Sequence, residues 1–377
     1  MKHQNLSING SHFFSQLFSS NSLNLYFDFG SFYTRVATSE KLLINQPTCY
    51  LSERNTGAVL TMGKEAFRSF GKSSSSTQVI FPIKKGSIYD SKEFNQYLEL
   101  LLMQIKKIID RKFFTKVVAV CYVPESATFL DKQLFINAFL NFGITQVRIE
   151  NKASIILKNC AQTPTQSSHL NLDKYNNDVV SHNTVAILDI GDQLTELAIG
   201  SVESIMLATT LDFGGQQITQ AIIDYLKEHC ELQISKTQAM SLKHQMQNVF
   251  GGEVRKISND KAVRVDKKSS SVSKTLINNS VINVRGVGLS EGLVVTQKIQ
   301  VESIKNIILN QLRQLSKKIK NSLLNSNSQE LVSALENGLI ITGGGSLLAG
   351  IDDFLSEEVG LGVYRSLNPY SFLVKGG

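Results

Sequence analysis

The chain has 377 residues, a formal net charge of +7, 42% hydrophobic and 19% charged residues, which is a globular composition long enough for two domains. Its four cysteines (Cys49, Cys121, Cys160, Cys230) are scattered with no CxxC pair and do not read as a metal site or disulfide framework, so a reducing cytoplasm is the simplest inference. No apolar run reaches the length of a membrane span, no secretory leader pattern opens the chain, and no basic stripe with interleaved aromatics supports a nucleic-acid partner; the positive charge reads either as suited to an anionic membrane surface or as background.

Residues 1–22 are polar and rich in Ser and Asn. Phe13, Phe14, Leu17 and Phe18 interrupt them on one helical face, opposite Ser15, Gln16, Ser19 and Ser20. The spacing predicts an amphipathic helix that either lies on a membrane or docks on the protein itself. Leu25–Phe29 then reads as a strand ending in Asp28-Phe29-Gly30. A helix over Lys92–Lys107, a strand over Lys116–Val123, a helix over Asp131–Asn141 and a short strand over Gln146–Ile149 follow. Residues 161–183 are polar, without period, and are predicted to be a linker loop. Thr184–Ile190 is a second apolar strand, ending in Asp189-Ile190-Gly191. The repeated apolar-Asp-apolar-Gly pattern predicts duplication at the scale of a domain, 23–160 and 184–377. Alternating strands and helices predict an α/β fold. A helical, basic subdomain is expected over about 228–292, with a solvated insertion at Gly251–Lys274, where seven Lys/Arg face three Asp/Glu. From Val301 to Leu323, apolar residues step by three and four as in one long amphipathic helix; a coiled-coil seam is the alternative reading. A strand, Leu339–Ile341, leads into Thr342-Gly343-Gly344-Gly345-Ser346.

Three glycine-bearing turns (28–34, 189–196, 342–346) thus each follow an apolar strand. Turns without side chains let backbone N–H groups approach a phosphate or ribose, and a strand-end Asp can hold Mg²⁺ through water. Any one such turn is weak evidence; three in this order are stronger.

In this arrangement the chain resembles the actin, DnaK-chaperone and sugar-kinase superfamily, and within it the bacterial MreB proteins, over almost its whole length. Asp28-Phe-Gly-Ser-Phe-Tyr-Thr34 is similar to the first phosphate loop, and Asp189-Ile-Gly-Asp-Gln-Leu-Thr-Glu196 to the second. Asn45-Gln46-Pro47, Met62–Ala66, Phe81–Ile88, Phe213-Gly214-Gly215, Arg285-Gly286 and Ser290-Glu291-Gly292 match further segments, and Thr342–Leu347 resembles the adenosine loop. The resemblance implies an actin-like fold with two RNase H-like α/β domains around a nucleotide cleft. It implies ATP or another purine nucleotide at Gly30, Ser31, Phe32, Tyr33, Gly191, Asp192, Gln193, Gly214, Gly215, Lys243, Gly343, Gly344, Gly345 and Ser346, with Mg²⁺ at Asp28 and Asp189. It further implies homopolymer filaments, cell-wall synthesis partners, and a cytoplasmic protein peripheral at the inner membrane face through Phe13, Phe14, Leu17 and Phe18.

Several positions depart from the family pattern. Asp192 and Gln193 replace two glycines, Leu194 a threonine, Tyr33 an asparagine, Gln216 an aspartate, and Met240 a ribose-binding glutamate. The water-orienting Glu falls on Asn151 by a gapped match and on Lys152 by an ungapped one, with Glu150 adjacent; none stands in register as a carboxylate base. Weak or lost hydrolysis is expected. A fully active ATPase and a pseudo-ATPase adaptor of the FtsA or PilM type are the alternatives.

Overall fold

A computed structural model describes residues 22–72, 74–109, 116–161, 184–201, 203–246, 281–324 and 329–366. The expected helix at Phe13–Phe18, the loop at 162–183 and the insertion at 251–274 lie outside these residues. The first half runs β1 (Ser22–Phe29), β2 (Tyr33–Ala37), β3 (Leu42–Pro47), β4 (Tyr50–Glu53), β5 (Val59–Met62), α1 (Lys64–Phe67), β6 (Thr77–Ile80), β7 (Ile83–Lys84), β8 (Ser87–Ile88), α2 (Ser91–Ile108), β9 (Lys116–Val123), α3 (Phe129–Asn141), β10 (Gln146–Asn151) and α4 (Lys152–Ala161). The second runs β11 (Val185–Ile190), β12 (Thr195–Gly200), β13 (Ile205–Leu211), α5 (Gly215–Cys230), β14 (Leu232–Gln233), α6 (Lys236–Gln245), β15 (Val281–Gly288), β16 (Val294–Gln300), α7 (Val301–Leu324), α8 (Gln329–Glu336), β17 (Leu339–Thr342), β18 (Val363–Arg365), with α9 (Ile351–Val359) between the last two strands.

The duplicated sequence pattern folds into duplicated sheets. One has the order β10-β9-β1-β2-β3 and the other β18-β17-β11-β12-β13. In each, the strand bearing the Asp is central, antiparallel to the strand after it and parallel to a strand from much later. Period-two alternation sends Leu25, Phe27 and Phe29 of β1 into the core under α2 and α3, and leaves Tyr26 and Asp28 on the opposite face. Phe27 packs its ring 4.9 Å from Phe139, and Phe29 lies 5.1 Å from Phe94 and 5.7 Å from Phe135. The helices over this sheet start where side chains cap free N–H groups: Asp90 accepts from Glu93 N–H, and Thr128 and Asp131 form a capping box. In the second half α7 buries Ile304, Ile308, Leu312, Leu315 and Ile319, the stripe predicted from sequence.

Helix α4 joins the halves. Ala153, Ile155, Ile156 and Leu157 pack with Val118 and Val120 of the first sheet and with Ile187 and Ala198 of the second. Its first residue, Lys152, therefore starts where both central strands end. Two small three-stranded sheets, β5-β4-β6 and β14-β15-β16, sit beyond the large ones. The described part of 228–292 thus holds strands as well as α6.

Phe139 is fully buried among aromatic rings, so Phe139→Ala is expected to destabilise the first half by about 3–5 kcal/mol, read as a lowered urea midpoint in its unfolding transition.

Candidate functional site

The two central strands run into hairpins of the same design. Gly30 N–H donates to the Tyr33 carbonyl at 3.0 Å, and Gly191 N–H to the Leu194 carbonyl at 2.9 Å. A Cβ on either glycine would stand 2.7 Å from that carbonyl oxygen, so the hairpins require these two glycines whatever they bind. The third turn differs. Gly343 has φ of 80°, and a Cβ there would run into Asp189 and Ile190, whereas a Cβ on Gly344 would meet open space.

These turns wall a cavity of about 530 Å³ between the two halves. Asp28, Gly30, Ser31, Phe32, Tyr33, Asp189, Gly191, Asp192, Gly215, Lys243 and Gly343–Gly345 line it, together with Arg35, Lys152 and His244. An apolar part is supplied by Phe213, Ile218, Met240, Leu312, Leu348 and Ile351 from the second half. Ser346 is buried behind the wall, its hydroxyl donating to the Gly343 carbonyl at 2.7 Å. Gly214 abuts the Asp192 backbone and donates its N–H to Gln217 Oε1 at 2.9 Å. The next two N–H groups of α5 are also engaged: Gly215 donates to Gly191 O at 3.0 Å, and Gln216 to Asp192 O at 2.7 Å. Lys243 Nζ donates to Gly215 O (2.8 Å) and Thr219 Oγ1 (3.0 Å). Burial pushes both Asp192 and Lys243 toward neutrality, while each favours the other's charge.

Neither Glu150 nor Asn151 lines the cavity. Asn151 closes β10, and its amide donates to Glu125 Oε2 at 2.7 Å. Lys152, one residue later, is the residue that enters. Its Nζ stands 2.9 Å from Asp189 Oδ2 and 3.6 Å from Asp28 Oδ1, while Arg35 NH1 lies 3.1 Å from the other oxygen of Asp28. The two aspartate side chains are only 5% and 8% exposed. Burial works against the lysine charge, but the Asp189 and Asp28 carboxylates beside it hold the amine's pKa above its usual value.

The expectation that these aspartates hold Mg²⁺ is not met by this donor set. Both carboxylates already face a cation, and no group of three or more His, Cys, Asp or Glu side chains converges among the described residues. A divalent ion ~4 Å from an ammonium is repelled by roughly 8 kcal/mol at an effective dielectric of about 20. The spacing of Lys152 from Asn151 was visible in the sequence; the reach of its side chain to residues 124 back and 37 on was not.

Gln193 turns away from the cavity and ties the halves together. Its Oε1 accepts from Lys85 N–H at 2.6 Å, and its amide donates to Gln216. Lys85 sits in the two-residue turn between β7 and β8, where both it (φ 49°) and Gly86 (φ 70°) adopt the left-handed region that such hairpins need. Its ammonium reaches Asp212 at 2.8 Å. Ser126 N–H donates to Thr210 Oγ1 (2.9 Å), and Glu125 N–H to Glu196 Oε2 (3.2 Å). Glu196 is buried, which pushes its carboxyl up to about 7 against the pull of that N–H, of the Thr210 hydroxyl and of Lys152.

Comparison with known proteins bears on this geometry. A family model described as MreB/Mbl protein matches residues 22–172, 174–269 and 253–377. The cell shape-determining protein Mbl of Bacillus cereus is 24% identical over 335 residues, covering 89% of this chain and 88% of that protein. Among solved structures, MreB5 of Spiroplasma citri bound to AMPPNP superposes with a TM-score of 0.73 at 20% identity, over 94% of each chain, and its ADP-bound form does equally. A MamK double helical filament gives a TM-score of 0.65 at 17% identity, over 94% of this chain and 97% of that one. The fold is therefore actin-like.

Because Glu196 binds its proton more tightly in the folded state, its contribution to stability is full below its ordinary value of 4.5 and is lost as pH rises to about 7. Glu196→Gln is expected to flatten that fall, by on the order of 1–3 kcal/mol, in unfolding midpoints measured across this range.

Proposed function

The chain belongs to the MreB/Mbl family, and on that premise we propose that it binds a purine nucleotide in the cleft and assembles with copies of itself into filaments. The single observation that carries this reading is the cavity itself. One part is apolar and suited to a base; the other is lined by strand-end turns, backbone and charged side chains suited to a polyphosphate. The nucleotide-bound state of MreB5 and the filament of MamK support the same reading by fold likeness.

Hydrolysis is weak or absent in this proposal. A general base must come within hydrogen-bond reach of the attacking water, and the carboxylates lining the cavity are Asp28 and Asp189, both ion-paired, and Asp192, which burial shifts toward its neutral form. The adaptor reading draws on the ties through Gln193 and Lys85, which favour a nucleotide that stabilises one domain angle by mass action over one that cycles. The protein would act as a cell-shape scaffold serving cell-wall synthesis enzymes. No described helix is long and apolar enough to cross a membrane, and attachment to the inner face of the cell membrane would rest on Phe13, Phe14, Leu17 and Phe18.

Pelleting and electron microscopy are expected to show polymer in the presence of ATP; no polymer with or without nucleotide defeats the filament reading. Gly344 separates ligand from fold, because an added methyl meets only open space. Gly344→Ala is expected to melt within about 1 kcal/mol of wild type while binding a fluorescent ATP analogue roughly tenfold more weakly. Unchanged affinity removes the adenosine role of this turn.

A further inference from the structure

Resting on the nucleotide reading of the cleft, we propose that Lys152, assisted by Arg35, takes the place of the divalent cation, so that the nucleotide binds as a metal-free polyphosphate. The position is the meeting point of the two strand-end aspartates, one from each half. Lys152 Nζ lies between them, 2.9 Å from Asp189 and 3.6 Å from Asp28, and the Arg35 guanidinium holds the second oxygen of Asp28 at 3.1 Å. One ammonium and one guanidinium supply the same two positive charges that a single Mg²⁺ would bring, and they leave the two carboxylates balanced.

The amine is placed to do more than neutralise. An ammonium has three N–H donors, of which the aspartates take at most two. Lys152 lines the cavity and keeps 19% of its side chain exposed, so a donor is available to a phosphate oxygen. The lysine is also the first residue of α4, whose N-terminal backbone dipole adds positive potential at the same point. The helix is fixed between the two sheets by Ile155, Ile156 and Leu157, so the ammonium is held in place by the core and does not depend on a loop. A bound metal would have to displace it from two carboxylates in a site that is closed to most solvent.

The test is titration of the full-length chain with a fluorescent ATP analogue, once in excess Mg²⁺ and once in excess EDTA. The expected dissociation constants agree within about twofold. A loss of roughly tenfold or more on adding EDTA overturns the inference and leaves the nucleotide reading standing, while no binding in either buffer overturns both. In parallel, Mn²⁺ binding to the nucleotide-free protein is read by electron paramagnetic resonance. Wild type and Lys152→Arg are expected to show no Mn²⁺ that Asp189→Asn removes, and Lys152→Ala to gain one such ion. A wild-type Mn²⁺ site lost in Asp189→Asn overturns the proposal. The wild-type measurements decide the matter even if Lys152→Ala fails to fold.

Discussion

Two carboxylates, from opposite halves of the chain, end up buried against each other where the central strands stop, and everything at the cleft follows from how their charge is balanced. Asp28 and Asp189 are penultimate residues of β1 and β11, so the duplicated fold itself brings them face to face. Like charges in a site of low exposure raise each other's energy unless a cation stands between them. Here the chain supplies that cation from the start of α4. A buried ion pair adds little net stability over apolar packing, yet removing one partner is strongly unfavourable, because a bare charge remains behind. Lys152 thus ties the two halves together where their central strands end.

The remaining ties point the same way. Gln193, Lys85, Glu125 and Ser126 link the first-half loops to the second-half hairpin and β13 region. A ligand shifts a conformational equilibrium only by its differential affinity for the two states. Under the proposed function, side-chain ties that already join the halves leave a nucleotide less to change. Gln193 occupies a position where a glycine would leave the second hairpin free of side chains; its amide instead bridges Gln216 and the Lys85 backbone.

The fold was legible because it rests on periodicity. The apolar-Asp-apolar-Gly repeat marked both central strands, the three-four spacing marked α7 to within one residue, and Lys116–Val123 was read to its ends. The cavity wall was partly legible, since turns such as Gly343–Gly345 announce themselves by composition. The meaning of individual glycines was not: Gly30 and Gly191 serve their own hairpins, while Gly344 alone of that third turn points a vacant Cβ position into open space. The charge arrangement was hidden for a different reason. Asn151 and Lys152 are neighbours in sequence, but a strand ends on one and a helix begins on the other, so their side chains diverge to Glu125 and to the aspartates. No local pattern encodes that divergence.

Taken together, the ionisable groups on the cavity wall balance: Asp28, Asp189 and Asp192 are matched by Arg35, Lys152 and Lys243, with His244 held toward its neutral form by burial and by Lys243. A polyphosphate entering such a site would meet the spare donor of Lys152 but no net surplus of positive charge, and the first N–H groups of α5 are engaged by the 191–192 backbone and Gln217. The apolar part of the wall includes Met240, itself a departure from the family pattern, and burial of a flat base there would contribute in proportion to area whatever happens at the phosphates. Under the proposed function, recognition in this cleft would therefore weigh toward the nucleoside end, with the spare donor of Lys152 left for a phosphate oxygen.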